Sequence, residues 1–181
     1  MQASGSKSSE QLHMTVYASL LAALTAAGAY LSIPVGPVPI VLQNLFILLA
    51  GLLLGSRWGL ASVSIYLLAG TCGLPVFAGG LGGIGRILGP TGGYLVGYLP
   101  AVYVVGFISE RTGQRAVFDL IAMVCGSVIV YVSGVAWLKL LTGMTWGKTL
   151  TVGVLPFLPG DALKIAAALA IATALRPIIK T

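Results

Sequence analysis

Hydrophobic residues are grouped along this chain into six long stretches, separated by short segments rich in Gly, Pro or charged residues. A transmembrane helix needs about 20 predominantly apolar residues, and roughly 17 to 25 are tolerated. The stretches that meet or approach this length are residues 14–33, 38–54, 58–72, 92–109, 120–138 and 160–178. The pattern therefore predicts an all-α membrane protein with six transmembrane helices.

The domain organisation follows from these stretches. Residues 1–13 are mostly polar, so we interpret them as an N-terminal tail, followed by one six-helix transmembrane domain over residues 14–181. The first stretch contains small residues around Ala26 that a signal peptidase accepts. Its apolar run is longer than that of a signal peptide, and Lys7 alone makes a weak positively charged region before it. We therefore expect a retained helix.

The composition agrees with a chain that has lipid as its main solvent. Of 181 residues, 57% are hydrophobic and 8% are charged, and the mean hydropathy is +1.02. A soluble domain carries roughly a quarter of charged residues. The net charge of +6 comes from basic residues that stand singly, mostly near the ends of the stretches. We expect them to set the orientation in the bilayer rather than to bind nucleic acid.

Basic residues are unevenly divided between the two sides of the predicted bundle. One side holds Lys7, Arg57, Arg111, Arg115, Arg176 and Lys180, whereas the connections on the other side hold Arg86 and Lys148. The richer side is expected to be cytoplasmic. Both termini are then cytoplasmic, and the outer connections are residues 34–39, 73–93 and 142–159. These connections hold most of the Pro and Gly outside the stretches, which is typical of a lid over an outward-facing pocket.

Asp161 and Lys164 stand at the start of the sixth stretch, three residues apart and hence on one face of a helix. An ionisable residue inside a span is a functional candidate because its insertion is costly. We expect Lys164 to pair with an anionic group of a substrate and Asp161 to orient it or accept a polar N–H. The alternative is that Asp161 caps the helix and Lys164 reaches the lipid headgroups.

The Gly-rich connection at 73–93 contains Gly80-Leu-Gly-Gly-Ile-Gly85, which matches the dinucleotide fingerprint GxGxxG. No strand–helix–strand unit surrounds it, so we do not predict a nucleotide site. The chain also lacks the phosphate-binding motif GxxxxGK[ST]. The glycines are better explained by a loop that folds tightly over a pocket. Arg86, the charged residue of this loop, either reaches a substrate carboxylate or is solvated.

Two further features of the spans have open alternatives. Gln43 and Asn44 either tie helices together or line the pocket and meet a polar ligand. The small residues Ala18, Ala22 and Ala26, with the neighbouring series Ser19, Ala23 and Ala27, either form a docking face for another helix or pack against the chain's own helices.

Neither metal binding nor catalysis is indicated. Cys72 and Cys125 are isolated and are expected to be small apolar residues of the core. The single histidine, His13, precedes the first span, and Asp119 and Asp161 are predicted on opposite sides of the membrane. A membrane-embedded enzyme acting on lipid or prenyl substrates would need paired acids or metal ligands, and we predict no enzyme and no metal site.

Five strings, in order along nearly the whole chain, resemble the BioY family, the biotin-specific substrate-binding (S) components of energy-coupling-factor (ECF) transporters. They are GPVPI at 36–40, LAGLLLG at 49–55, GLPVFAG at 73–79, LGPTGGY at 88–94 and PFLPGD at 156–161. The resemblance implies a six-helix S-component bundle with an outward-facing pocket under Gly-rich loops. It implies high-affinity biotin binding and uptake across the cytoplasmic membrane, with no cofactor. An S component for another vitamin and a purely structural helical protein are the remaining alternatives.

The resemblance also implies residue roles and partners. Asp161 and Lys164 are the polar ligand contacts, and the loop from Phe77 to Tyr94, with Gly79 and Arg86, is the lid. Gln43 and Asn44 are further candidates, because no donor for the ureido ring can be matched to the family. The implied partners are a membrane coupling subunit of the EcfT type and two ATPase subunits. The coupling subunit would dock on Ala18, Ala22 and Ala26.

Overall fold

The computed structural model describes residues 2–34 and 36–179, which form mainly helices. The elements in chain order are α1 (Gln2–Tyr30), β1 (Ser32–Ile33), β2 (Ile40–Val41), α2 (Gln43–Thr71), α3 (Ile84–Leu88), α4 (Gly92–Arg111), α5 (Ala116–Thr142), α6 (Trp146–Gly153) and α7 (Leu158–Ile179). The two strands form a small antiparallel hairpin between α1 and α2. Among the described residues, five helices are long and apolar enough to cross a membrane: α1, α2, α4, α5 and α7.

The long helix α2 covers two of the predicted stretches, and it is interrupted at Gly55. This residue has φ 77° and ψ −173°, which lies outside the helical region and favours glycine. The chain folds back there, because a Cβ atom at Gly59 would be 3.0 Å from the Ala50 carbonyl oxygen. In a continuous helix these positions would be roughly 13 Å apart. Two helical segments therefore occupy residues 43–54 and 56–71, and the number of separate membrane crossings stays a prediction.

Glu110, at the end of α4, fixes this turn. Its carboxylate accepts a hydrogen bond of 3.0 Å from the backbone N–H of Ser56 and one of 2.8 Å from the Ser56 hydroxyl. The free N–H groups at the start of a helix carry partial positive charge, so a carboxylate there is favourable. A side chain of α4 thus caps the second half of α2.

The helices α4 and α5 approach closely because small residues of one lie opposite larger residues of the other. Gly97 of α4 faces Ser133, and Gly134 of α5 faces the ring of Tyr94. Gly51 of α2 similarly leaves room for Val105, which lies 2.8 Å from where a Cβ atom would be. Apolar side chains give little net association in lipid, so this close backbone packing holds the bundle together.

Two of the sequence expectations concern the N-terminal region. The first helix begins at Gln2, so the described part of the predicted tail is continuous with α1. Ala18 and Ala22 are 1% and 5% exposed, and Ala26 is half-buried, so these alanines pack against the chain's own helices. Their burial does not support the predicted docking role. On α1 the exposed small residues are the neighbouring series Ser19, Ala23 and Ala27.

The cysteines also differ from expectation. Cys72, just beyond the end of α2, is exposed, and Cys125 in α5 is half-buried. Neither cysteine is among the residues of the apolar core, which is formed by other side chains of these helices. Many large apolar side chains are exposed as well, including Val132, Leu140 and Leu163. Their exposure is expected where the outer surface of a bundle contacts lipid.

Candidate functional site

A cavity of about 280 Å³ lies at the end of the bundle where α2, α4 and α7 begin. It is near the lower limit of about 300 Å³ usual for small-molecule pockets. Its inner wall comes from these helix starts and from the middle of α5. Its outer wall comes from the β1–β2 hairpin loop and the Gly-rich loop between α2 and α4. Helix starts of three separate elements therefore meet around one space.

All eight residues predicted to contact a substrate line this cavity. They are Gln43, Asn44, Phe77, Gly79, Arg86, Tyr94, Asp161 and Lys164. The structure thus brings together residues from α2, the Gly-rich loop, α4 and α7. Their contacts with a ligand stay predictions.

Asp161 and Lys164 form a buried ion pair in the first turns of α7. The Lys164 Nζ donates a hydrogen bond to Asp161 Oδ1 at 2.7 Å, and the residues are 8% and 7% exposed. The other carboxylate oxygen, Oδ2, accepts from the hydroxyl of Tyr131 on α5. The prediction that these side chains share one face is confirmed, and the pair faces the cavity. A lysine has three N–H donors, and one is used in this pair.

The two amides of α2 differ in their partners. Asn44 accepts a hydrogen bond of 2.7 Å from the Tyr98 hydroxyl and so joins α2 to α4. Gln43 is 2% exposed, and its Nε2 has no hydrogen-bond partner among the described residues. A buried donor without a partner is costly. Because Gln43 lines the cavity, a ligand oxygen could satisfy this donor.

The Gly-rich loop is held against the bundle by its aromatic residue and by a distant tryptophan. Phe77 is 2% exposed and packs edge-on against Tyr66, with ring centroids 5.5 Å apart. The Trp137 Nε1 on α5 donates to the Gly89 carbonyl at 2.9 Å. Gly79 and Gly80 have φ values of 75° and 70°, which a residue with a side chain rarely adopts. The loop is thus an ordered cover with a sharp turn above the cavity.

Arg86 is the cavity's cation without an internal counterion. It is half-buried in α3, and the ion pairs of the described residues are Lys164–Asp161 and Arg176–Asp119. The Lys164 charge is thus balanced within the chain, whereas the Arg86 charge is not. The described part of the cavity carries one net positive charge.

Sequence reasoning missed several aromatic side chains of the wall. Tyr98, Tyr131 and Phe157 line the cavity together with the hairpin prolines. Tyr98 lies four residues after Tyr94, so helical spacing alone could have placed both on one face. Tyr131 had no such signal, because its position depends on how α5 packs against α7. No group of three or more potential metal ligands occurs in residues 2–34 and 36–179.

A second ionic cluster lies at the opposite end of the bundle. The Arg176 guanidinium donates to Asp119 Oδ2 at 2.5 Å, to the Ser109 hydroxyl at 3.0 Å and to two carbonyls, of Gln114 at 3.0 Å and Leu52 at 3.2 Å. The Ser109 hydroxyl donates to Asp119 Oδ1 at 2.6 Å. This cluster joins α2, α4, α5 and α7. Asp119 and Asp161 therefore lie at opposite ends, as predicted.

Comparison with known proteins identifies the family. A sequence model of the BioY family matches residues 2–181. The chain belongs to the BioY family. It is 42% identical over 158 residues to the "Probable biotin transporter BioY" of Pyrococcus horikoshii, covering 87% of this chain and 93% of the relative. It is 38% identical over 165 residues to the "Biotin transporter BioY" of Thermotoga maritima, covering 91% and 96%.

A solved structure confirms the fold of this BioY chain. The crystal structure of the S-component for biotin from an ECF-type ABC transporter matches with a TM-score of 0.88 and 32% identity, over 93% of each chain. The predicted S-component fold and the BioY resemblance are thus confirmed. As a BioY family member with several apolar helices, the chain is a multi-pass membrane transport protein and not an enzyme.

Proposed function

We propose that this chain binds biotin in the cavity beneath the Gly-rich loop and is the substrate-specificity subunit of an ECF-type transporter in the cytoplasmic membrane. The observation that carries the proposal is the layout of the cavity. Its walls are largely apolar, a buried ion pair stands at one side, and an unbalanced arginine stands in the cover. Biotin has an apolar thiophane ring and alkyl chain, a ureido ring and one carboxylate, so its groups match these three features.

The ureido ring is best accommodated at Asp161 and Lys164. The Asp161 carboxylate can accept a ureido N–H, and the free Lys164 donors can reach the ureido oxygen, with the unpaired Gln43 Nε2 as a further donor. Charge-assisted hydrogen bonds contribute roughly 1.5 to 3 kcal/mol each. The carboxylate then belongs at Arg86, because the charge of Lys164 is already balanced by Asp161. The arrangement with the carboxylate at Lys164 is the alternative within the same function.

Binding of labelled biotin to the purified protein tests the proposal. We expect saturable binding with a dissociation constant of about 1 μM or lower. Asp161→Asn and Lys164→Ala should each weaken binding about tenfold or more. Arg57→Ala is the control, because Arg57 is exposed at the opposite end of the bundle. Absence of saturable biotin binding would contradict the function, and unchanged affinity in both variants would contradict the site.

Transport additionally requires energy that this chain does not supply by a P-loop. We propose that a membrane coupling subunit of the EcfT type and two ATPase subunits supply it. The exposed series Ser19, Ala23 and Ala27 on α1 is the better docking surface, because the neighbouring alanines are buried. Ala23→Leu should reduce co-purification with the coupling subunit and leave biotin binding unchanged. Equal co-purification would exclude this face.

The orientation with both termini in the cytoplasm is part of the proposal, and it places the cavity at the outer surface. The excess of basic residues at the Arg176 end supports it. Cys72 offers a direct test, since it is exposed at the cavity end of α2. In cells that express the Cys125→Ala variant, a membrane-impermeant maleimide should label Cys72 without permeabilisation of the membrane. A second variant carries its single cysteine at the opposite end of the bundle and combines Cys72→Ala, Cys125→Ala and Gln114→Cys. Its labelling should require permeabilisation of the membrane. Labelling of Gln114→Cys in intact cells, with Cys72 protected, would overturn the orientation.

A further inference from the structure

A second concave space lies on the outside of the bundle, behind the wall of the cavity. It is a groove of about 370 Å³ between α5 and α6, lined almost entirely by apolar side chains. Val132 and Val135 of α5 form one side, and Trp146 and Leu150 of α6, with Val154 just beyond its end, form the other. Trp146 and Leu150 are exposed, at 58% and 47%. An apolar space open to the bilayer suits a hydrocarbon chain.

The groove is bordered by a lysine at the end that faces the lipid headgroups. The Lys139 ammonium lies 4.8 Å from the centre of the Trp146 ring. Lys148 is exposed on α6, but it is two residues from both Trp146 and Leu150 and so points away from their face of the helix. The helix α5 has 27 residues, so it is roughly 40 Å long and exceeds the hydrocarbon core of about 30 Å. Its last turn, with Lys139, therefore lies at headgroup level.

Lys139 is not neutralised within the described chain. The ion pairs found there involve Lys164 and Arg176, and Lys139 donates to the uncharged carbonyl of Met144 at 3.0 Å. An uncompensated cation beside an apolar groove is complementary to a lipid with a negatively charged phosphate headgroup. Trp146 adds the aromatic ring that is common at this depth of a membrane.

Tyr131 connects this groove with the cavity. Its ring lines the groove as well as the cavity, and its hydroxyl donates to Asp161. A chain lying in the groove would pack against the outer side of Tyr131 and hold the ring in the position that orients the Asp161 carboxylate. Occupation of the groove would then be linked to binding in the cavity, and the linkage must act equally in both directions.

We propose that the α5–α6 groove is a binding site for an anionic phospholipid, whose phosphate contacts Lys139 and whose hydrocarbon chain supports Tyr131. The lipid site itself is independent of the proposed function. Its effect on the cavity rests on biotin being the ligand there.

Lipid retention measured by native mass spectrometry tests the site. From an equal mixture of phosphatidylglycerol and phosphatidylcholine, the wild type should retain phosphatidylglycerol at least about fivefold in excess. Lys139→Gln should abolish the preference. Lys148→Gln makes the same charge change on the face of α6 that points away from the groove and should preserve it. Ala136→Phe, which fills the groove, should reduce retention, whereas Leu140→Phe beside it should not.

Equal retention of the two lipids by the wild type, or an unchanged preference in the Lys139→Gln variant, would overturn the site. Loss of the retained lipid when the coupling subunit is added would assign the groove to a protein contact instead and would also overturn it.

Biotin affinity in nanodiscs tests the linkage. The dissociation constant should be at least about threefold lower in phosphatidylglycerol than in phosphatidylcholine, and Lys139→Gln should remove the difference. Equal affinities in both lipids would overturn the linkage. Absence of biotin binding in both, with lipid preference retained, would contradict the proposed function and leave the lipid site standing.

Discussion

The two ends of the bundle each contain a buried ion pair, and the pairs differ in what surrounds them. Arg176 and Asp119 are enclosed by groups of the chain: the guanidinium makes four hydrogen bonds, and both oxygens of Asp119 are used. Asp161 and Lys164 have one further partner, Tyr131, and face an open cavity. Burial does not distinguish them, since the side chains are all at most 12% exposed.

The difference lies in the unused hydrogen-bonding capacity. Arg176 keeps a buried Nε that has no partner within residues 2–34 and 36–179, but Arg176 does not line the cavity. Lys164 keeps two unused N–H donors beside the cavity, and the Gln43 Nε2 is a further unused donor there. A pair enclosed by four helices stabilises the bundle, whereas a pair with unused donors beside a cavity is available to a ligand.

The largest effect on stability is expected from removing Arg176, the cation of the ion pair that four helices enclose. Arg176→Ala leaves the Asp119 carboxylate buried without its counterion, which should cost about 3 to 5 kcal/mol of stability. Lys164→Ala should cost roughly 1 kcal/mol or less, because water in the cavity can solvate Asp161. Thermal unfolding in detergent compares the two. Equal losses would show that the ends do not differ in this way.

The next effect concerns the unbalanced cation in the cover. Arg86→Gln should weaken biotin binding about tenfold, since a charge-assisted contact contributes roughly 1.5 to 3 kcal/mol. It should leave the binding of biotin amide, which has no carboxylate, nearly unchanged. Equilibrium binding of both ligands checks this, with Arg115→Gln as the control at the other end. If Arg86→Gln weakens both ligands equally, the carboxylate does not bind at Arg86.

A matched pair of hydroxyl deletions sharpens the comparison. Tyr131→Phe and Ser109→Ala each remove one hydrogen bond to a buried carboxylate. Tyr131→Phe should weaken biotin binding roughly fivefold with little loss of stability, and Ser109→Ala should cost about 1 kcal/mol of stability with unchanged affinity. Binding and thermal unfolding are measured on both variants. Interchanged effects would reverse the roles assigned to the two ends.

The smallest effect is expected at Gln43. Replacing it with Leu removes a buried donor that has no partner, so stability should be unchanged or rise by about 1 kcal/mol. Biotin affinity should nevertheless fall severalfold if Nε2 meets the ligand. Asn44→Leu is the contrast, because it breaks the contact with Tyr98 and should lower stability. A stability loss in Gln43→Leu with full affinity would assign Gln43 a structural role.

Most of the predicted substrate contacts were found together because charged residues in an apolar stretch and Gly-rich loops are both visible in the sequence. Asp161 and Lys164 stand out as charges in an apolar stretch, and their spacing places them on one helix face. The lid residues stand out through Gly and Pro. The docking face on α1 stays a prediction that sequence alone cannot place, since two small-residue series lie side by side and their spacing is identical. Which series faces inward depends on the rotation of α1 against α2, and the structure buries Ala18 and Ala22.

Local chemistry along the chain was sufficient for the membrane class, the lid, the charged face of the last helix and the family resemblance, because each depends on residues close in sequence. Contacts between distant helices were not readable in this way. The Tyr131–Asp161 bond, the Tyr98–Asn44 bond and the enclosure of Arg176 by Leu52 and Gln114 join residues far apart in the chain. Such contacts depend on helix rotation, on the reversal at Gly55 and on close packing, so tertiary structure alone decides which buried charge remains free for a ligand.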